Sequence, residues 1–101
     1  MTFAEQVYSA CKKIPVGRVT TYKLLADAIG TKSYRAVGTA LKNNPFAPFV
    51  PCHRVIKSDM TIGGFKGKMC GIEIEEKKRL LEEEGVVIEK YCIDKKYLYS
   101  F

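Results

Sequence analysis

The 101-residue sequence lacks several features that define large classes of proteins. No apolar run approaches the roughly 20 residues that a membrane-spanning helix needs. The first residues, MTFAEQVYSACKK, lack the basic region of a secretory signal peptide. There are no repeats, no low-complexity segments and no phosphate-binding loop. These absences favour one domain over residues 1–101, located in the cytoplasm or, in a eukaryote, in the nucleus, without membrane association.

Metal-binding patterns are also missing. The chain has four cysteines and one histidine, and no two cysteines form a C-x-x-C pair. A structural zinc site normally draws on closely spaced Cys and His ligands, so we expect no metal, and we expect no other cofactor. Four free thiols in a reducing compartment are the simplest prediction for Cys11, Cys52, Cys70 and Cys92.

The excess of positive charge lies in the first part of the chain. Residues 1–58 carry nine Lys or Arg against two acidic residues, a net charge of +7. Residues 59–101 carry eight basic and nine acidic residues, a net charge of −1. This asymmetry suggests a polyanionic partner, with nucleic acid as the first candidate. A basic domain without such a partner explains the charge equally well.

Apolar residues at helical spacing predict three helices in the first half. Thr2 and Glu5 form a capping box for the first helix, which should end at Pro15 and Gly17. Its apolar stripe would consist of Phe3, Val7, Ala10, Cys11 and Ile14. Cys11 is therefore expected to be a buried core thiol.

The second and third helices have the spacing of a helix-turn-helix. Thr20 or Thr21 can cap the second, with Leu24, Leu25, Ala28 and Ile29 facing inward and Gly30 at its end. Ser33 can cap the third, with Tyr34, Val37, Gly38 and Leu41 facing inward and Arg35, Thr39 and Lys42 outward. This predicted recognition helix could approach a ligand closely, because several of its side chains are small: Ala36, Gly38, Thr39 and Ala40. Small helical proteins that never bind DNA share this pattern.

The second half combines stiff, short and irregular segments. Residues 44–51 hold three prolines and should be extended. RVIKS is strand-like, DMTIGGFKGK is a Gly-rich loop, and GIEIEEKKRLLEEEG predicts a last helix with Ile74, Leu80 and Leu81 inward and Gly85 closing it. The tail, residues 86–101, could be an edge strand or a docked extension. We predict a mainly α, winged-helix-like fold with a small β element.

The stretch FVPCHRVIKS places Cys52 beside His53 and Arg54. Only a thiolate is nucleophilic, so a reactive cysteine needs a base and a positive field nearby. Neighbours in an extended chain point to opposite sides, so a water or a turn would have to link Cys52 to His53. A third group should orient the histidine; the candidates are Glu84, Glu82 and Glu83. The alternative is that Cys52 is a buried structural thiol.

Several motifs together resemble the O6-alkylguanine-DNA alkyltransferases, the single-use DNA-repair proteins. VPCHRV at 50–55 resembles their active-site motif, and RAVGTALKNNP at 35–45 resembles their recognition helix. GRVTTYKLLADAIG resembles the first helix of their helix-turn-helix, GGFKGK their substrate-binding loop and KRLLEEEG their last helix. The resemblance covers residues 3–85 and leaves 86–101 as a C-terminal extension.

The resemblance implies a role for each matching residue. Cys52 would accept the alkyl group from guanine O6, His53 would take the thiol proton through a water, and Glu84 would hold His53. Asn44 would brace the turn at Cys52, and Tyr22 would donate a proton near N3 of the departing guanine. No cofactor is needed, and the thioether formed is stable, so the protein would act once.

The partner implied is double-stranded DNA that contains O6-alkylguanine, bound by a monomer through the minor groove with the base flipped. The DNA-binding helix would use Arg35, Ala36, Gly38, Thr39 and Lys42, with Arg35 filling the gap in the base stack. The base pocket would be lined by Val55, Ile62, Gly63, Gly64, Phe65 and Lys66.

Three departures from the family leave alternatives open. The motif region begins almost at residue 1, without the family's usual N-terminal domain. Phe65 replaces a common tyrosine, and KMCGIEI is a longer link into the last helix. An alkyltransferase-like protein, which binds the lesion without repairing it, shares the short length but usually lacks the cysteine. A winged-helix regulator and a thiol-dependent hydrolase are the remaining alternatives.

Overall fold

The described residues of the chain form four helices and two pairs of very short strands. The computed structural model describes residues 2–45, 49–62, 72–99 and 101, and at 72 and 73 the backbone alone. The helices are α1 (Phe3–Cys11), α2 (Tyr22–Ala28), α3 (Tyr34–Lys42) and α4 (Ile72–Glu83). The strands are β1 (Thr20–Thr21), β2 (Val55–Ile56), β3 (Ile88–Glu89) and β4 (Cys92–Ile93), and 3-10 turns span Cys52–Arg54 and Lys95–Tyr97. The expected mainly α fold with a small β element is confirmed.

Side-chain caps begin the first three helices as predicted. Thr2 and Glu5 form the reciprocal capping box of α1, with both bonds at 3.1 Å. The Thr21 hydroxyl, not that of Thr20, caps α2 by accepting from Leu24 N at 3.1 Å. Ser33 caps α3 through Ala36 N at 3.3 Å. These bonds satisfy amide groups that have no partner within the first turn of a helix.

Some predicted inward faces are wrong. In α2 the buried residues are Leu25 and Ala26, and Ala28 is exposed. The actual stripe follows the i, i+3, i+4, i+7 rule from Tyr22, whereas the prediction was rotated toward Ala28. In α3, Tyr34 is 44 % exposed and Ala40, predicted on the outer surface, is buried. Tyr34 is the first residue of α3, so no preceding turn lies beside it to cover the ring.

The helices pack around two adjoining cores. Within the first core, α1, α2 and α3 bury Val7, Cys11, Leu25, Val37 and Leu41. Within the second core, the β elements, α4 and the tail bury Val19, Ile56, Ile62, Leu81, Val86 and Ile93. The parallel pair β1–β2 joins the two cores, with Thr20 opposite Val55 and Thr21 opposite Ile56. Among the described residues, no helix is long and apolar enough to cross a bilayer.

The tail is both a hairpin and a docked extension. Strands β3 and β4 pair antiparallel, with Ile88 opposite Ile93. Backbone bonds join this hairpin to the segment before the Gly-rich loop, from Ile62 N to the Tyr91 carbonyl at 2.8 Å and from Ile93 N to the Met60 carbonyl at 2.9 Å. Further on, Tyr99 N donates to the Val19 carbonyl at 2.7 Å. The tail therefore completes the second core.

Candidate active site

Cys52 begins a tight turn at the boundary between the two cores. It is half-buried and packs against both of them. Of the two links considered between Cys52 and His53, a water or a turn, the turn is present: Cys52–Arg54 form a 3-10 turn closed by Arg54 N donating to the Pro51 carbonyl at 2.9 Å. Three residues fill one such turn, so consecutive side chains point about 120° apart. Cys52 and His53 thereby face different surroundings while remaining neighbours.

Asn44 lies where the family resemblance placed it, behind this turn. Its side-chain amide Nδ2 donates to the Val50 carbonyl at 2.9 Å, and Cys52 N donates to the same carbonyl at 2.8 Å. The end of α3 is therefore tied to the residue two positions before the cysteine. A shift of α3 would be transmitted to Cys52 through this shared carbonyl.

His53, Arg54 and Glu84 form one hydrogen-bonded cluster. His53 Nε2 lies 2.8 Å from Glu84 Oε2, which selects Glu84 among the three glutamates considered. Arg54 donates two hydrogen bonds to the same carboxylate, from Nε to Oε1 at 2.9 Å and from Nη2 to Oε2 at 2.8 Å. Its third bond, from Nη1 to the Ile14 carbonyl at 2.8 Å, ties the cluster to the end of the first core. Glu83 is occupied elsewhere, accepting from Arg79 at 2.8 Å.

Burial and hydrogen bonding within this cluster determine the protonation states of His53 and Glu84. Burial lowers the pKa of His53 and outweighs the opposing effect of Glu84. Partial burial pushes the pKa of Glu84 upward, but bonds from Arg54 and His53 outweigh it and hold that pKa below its ordinary value. Near neutral pH, His53 is neutral and Glu84 ionised. A neutral His53 that donates Nε2–H to Glu84 leaves Nδ1 as the nitrogen able to accept a proton.

Two further titratable side chains adjoin Cys52 from the helical side. Tyr22 begins α2, and burial, followed by the charges of Cys52 and Cys11, raises its pKa. It therefore keeps its phenolic proton, as a proton donor must. Burial raises the pKa of Cys11 to about 12, so this thiol stays protonated. The prediction of a buried core thiol at Cys11 is confirmed.

The outer face of α3 presents the predicted DNA-binding residues. Arg35, Thr39 and Lys42 are exposed, and Ala36 and Gly38 are half-buried. A Cβ added to Gly38 would meet nothing within 4 Å, so internal packing does not require glycine there. The face is therefore shallow and basic. Its contact with DNA stays a prediction.

The predicted pocket is described only in part. Val55 and Ile62 are both buried, with Val55 in β2 beside Cys52 and Ile62 in the second core. Gly63, Gly64, Phe65 and Lys66 lie outside the described residues. In the described part of the chain, no three His, Cys, Asp or Glu side chains converge as a metal site would require.

The sequence did not predict the contacts of two residues near the site, Arg54 and Lys77. Arg54 was expected only as a fixed charge, yet it holds Glu84 with two bonds. Lys77 was not considered, yet it is fully buried in α4, with Nζ 2.8 Å from the Val55 carbonyl. Its position three residues after Ile74 and four before Leu81 was the available signal, because these three share one helix face.

The family comparison agrees with this geometry. The model of the 6-O-methylguanine DNA methyltransferase DNA-binding domain matches residues 2–86. A methylated-DNA–protein-cysteine methyltransferase of Pyrobaculum aerophilum is 50% identical over 74 residues, covering 73% of this chain and 46% of the relative. The corresponding protein of Metallosphaera sedula is 44% identical over 87 residues, covering 86% of this chain and 51% of the relative. The chain spans about half the length of these curated relatives.

Solved structures with the same fold include two protein–DNA complexes. S. pombe Atl1, bound to damaged DNA containing O6-carboxymethylguanine, superposes with a TM-score of 0.86 at 35% identity, covering 98% of this chain and 95% of Atl1. Mycobacterium tuberculosis OGT in complex with DNA superposes with a TM-score of 0.74 at 40% identity, covering 83% of this chain and 50% of OGT. The likeness therefore extends to proteins solved with DNA.

Proposed function

The chain belongs to the 6-O-methylguanine DNA methyltransferase family, and from this premise we propose that it repairs O6-alkylguanine in DNA by moving the alkyl group onto Cys52. The observation that carries the proposal is the cluster behind the cysteine. A neutral His53 is oriented by Glu84, and Glu84 is gripped in turn by Arg54. An adjacent base that is itself oriented is the arrangement that activates a thiol nucleophile.

The proposed reaction needs no cofactor. His53 Nδ1 takes the thiol proton through a water, and the Cys52 sulfur attacks the alkyl carbon. A sulfur–carbon bond forms, the carbon–O6 bond breaks, and its electron pair passes to the guanine. Tyr22, which retains its proton near neutral pH, donates toward N3 of the departing base. The sulfur–carbon bond of the thioether is stable, so the thiol is not regenerated and each molecule acts once.

The proposed DNA contact uses the exposed face of α3. A helix with Gly38 and Ala36 on its surface can approach the minor groove closely. Arg35, exposed near the start of α3, would occupy the space left by the flipped base. Base flipping costs a few kcal/mol, which this insertion and the pocket would offset. We further propose that the protein acts as a monomer, without membrane association, in the compartment that holds the DNA.

The experiment is a repair assay with a duplex that contains one O6-methylguanine. The protein should restore guanine, measured by nucleoside analysis, until one lesion has been repaired per protein molecule. Cys52→Ser should bind the same duplex and restore nothing, whereas Cys92→Ser, at an exposed cysteine of the hairpin, should repair like the wild type. Repeated turnover, or equal activity of Cys52→Ser, would refute the proposal.

A second candidate is lesion recognition without transfer. It is favoured by the superposition on Atl1 over 98% of this chain and 95% of that protein. In this case the chain would bind O6-alkylguanine duplexes more tightly than undamaged ones and leave the lesion unchanged. The repair assay separates the two functions, because only transfer restores guanine. Equal affinity for both duplexes would instead support a DNA-binding regulator.

A further inference from the structure

Tyr91 occupies an unusual position at the tip of the β3–β4 hairpin. Lys90 and Tyr91 form its two-residue loop, with φ angles of +51° and +61°. Such loops normally contain Asn-Gly or Asp-Gly, because a Cβ makes a left-handed backbone costly. The side chain of Tyr91 is 45% exposed, so core packing does not account for a tyrosine here. Tyr91 also lies beyond residues 2–86, which match the family model. Strain that is kept where packing gains little indicates a role for this residue.

The contacts of Tyr91 join the described segments before and after residues 63–71. Its carbonyl accepts from Ile62 N at 2.8 Å, and the predicted substrate loop follows Ile62 directly in the sequence. Its hydroxyl donates to Glu75 Oε1 at 2.6 Å, near the start of α4. Glu75 raises the pKa of Tyr91, so the hydroxyl keeps the proton that it donates. One turn further along α4, Lys78 Nζ lies 5.5 Å from the centroid of the Tyr91 ring.

Helix α4 already supports other residues of the site. Lys77 Nζ donates to the Val55 carbonyl at 2.8 Å. Glu84, which bonds His53, follows the last residue of the helix. The hydroxyl of Tyr91 attaches Ile62 to the same helix. Val55 and Ile62 are the described members of the predicted pocket, so α4 sets the position of both.

We propose that Tyr91 is a positioning residue for the alkylguanine pocket, which it keeps in shape by joining Ile62 to α4. The inference rests on the proposed binding of the lesion, and it holds both for transfer and for recognition without transfer. The Tyr91–Glu75 bond breaks when Ile62 and α4 move apart, so it favours one width of the pocket. A preformed pocket binds its ligand at a lower entropic cost than one that must be ordered on binding. Tyr91 would therefore favour a damaged duplex over an undamaged one.

The first test measures binding in Cys52→Ser protein, so that no transfer disturbs the equilibrium. The quantity is the Kd for an undamaged duplex divided by the Kd for the same duplex with one O6-methylguanine. Tyr91→Phe removes only the hydroxyl and should lower this ratio about three- to tenfold, as expected for a lost hydrogen bond to a charged group near solvent. Tyr97→Phe is the matched control and should keep the ratio, since Tyr97 lies in the same tail and also has a lysine, Lys96, over its ring.

Variants of the acceptor test whether the bond itself is responsible. Glu75→Leu should lower the ratio as far as Tyr91→Phe does, and the double variant should lower it no further, because both changes remove the same bond. Glu75→Gln keeps an oxygen that can accept from the hydroxyl, so it should recover most of the ratio. Losses that multiply in the double variant would mean that the two side chains act separately, and would overturn the proposal.

Folding must be separated from positioning. Glycine suits the positive φ of this position, so Tyr91→Gly should unfold at nearly the wild-type urea concentration although the ring and hydroxyl are gone. Its ratio should nevertheless fall at least as far as that of Tyr91→Phe. Lys90→Gly, at the neighbouring left-handed residue, is the control and should keep the ratio. Folded Tyr91→Phe and Tyr91→Gly proteins with the wild-type ratio would overturn the assigned role.

A measurement without DNA separates this role from the proposed function. The bond to the Tyr91 carbonyl protects the Ile62 amide from hydrogen exchange, and NMR should show this amide exchanging severalfold faster in Tyr91→Phe. A wild-type binding ratio of one would refute lesion recognition. Unchanged exchange of Ile62 in Tyr91→Phe would contradict the role of Tyr91, whatever that ratio is.

Discussion

Replacing Arg54 with methionine should destabilise the fold far more than replacing any exposed arginine. Arg54→Met removes two bonds to Glu84 and one to the Ile14 carbonyl. It also leaves the carboxylate, whose side chain is 16% exposed, without its cation. Hydrogen bonds to charged groups contribute about 1.5–3 kcal/mol each, and breaking a buried ion pair costs about 3–5 kcal/mol. Because both groups keep some contact with water, we expect a loss of about 2–4 kcal/mol.

The assay is urea unfolding at pH 7, with Arg79→Met as the matched control. Arg79 also bonds a glutamate at 2.8 Å, but its side chain is 61% exposed, so its loss should barely change the unfolding midpoint. The decrease of the free energy of unfolding at acid pH provides a second measurement. The lowered pKa of Glu84 contributes stability that is complete above the ordinary carboxyl range and is lost as pH falls through the lowered value. In Arg54→Met the pKa of Glu84 is less depressed, so this acid-dependent loss of stability should be smaller than in the wild type. Equal unfolding midpoints for the two variants would mean that the bonds of Arg54 to Glu84 and Ile14 do not stabilise the fold.

Three further outcomes follow from the structure. Arg35→Ala should weaken binding to an O6-methylguanine duplex severalfold and leave circular dichroism and melting unchanged, because Arg35 is exposed on α3; loss of the fold would show that its surroundings are misassigned. Gly17→Ala should lower the free energy of unfolding in urea by about 1–3 kcal/mol, because Gly17 has a φ of +83° and an added Cβ would lie 3.1 Å from the Glu84 carbonyl oxygen. An unchanged free energy of unfolding would mean that the backbone can move to remove this close contact. The free energy of unfolding should fall as pH drops from 7 through the ordinary histidine range, because the folded state lowers the pKa of His53 and the unfolded chain binds the proton first; His53→Gln should flatten this slope.

The sequence was most informative where a pattern had one physical solution. The caps at Thr2 and Ser33, the outward positions of Arg35, Thr39 and Lys42 and the burial of Cys11 all follow from helical spacing and are present. The rotated face of α2 shows the limit of such spacing. In a helix of seven residues, a shift of one position changes which side chains are buried.

The site itself depended on contacts between distant parts of the chain. Glu84, Glu82 and Glu83 are equivalent by spacing, and only the packing of α4 against the Cys52 turn selects one of them. Arg54 could be foreseen as a charge, but not as the group that grips Glu84. For Lys77 the spacing from Ile74 and Leu81 indicated the buried helix face, but composition indicated the opposite, because lysine is rarely buried and the surrounding EEKKR run is typical of an exposed helix.

Transfer from the lesion to Cys52 can be followed with an isotope label on the alkyl group. A duplex that contains O6-(trideuteromethyl)guanine is incubated with equimolar protein, and the peptide that contains Cys52 is weighed after digestion. If Cys52 accepts the alkyl group, one trideuteromethyl group should replace the thiol hydrogen of Cys52, with unlabelled guanine left in the DNA. A duplex that is bound but keeps its label, or a label found on another residue, would contradict transfer to Cys52.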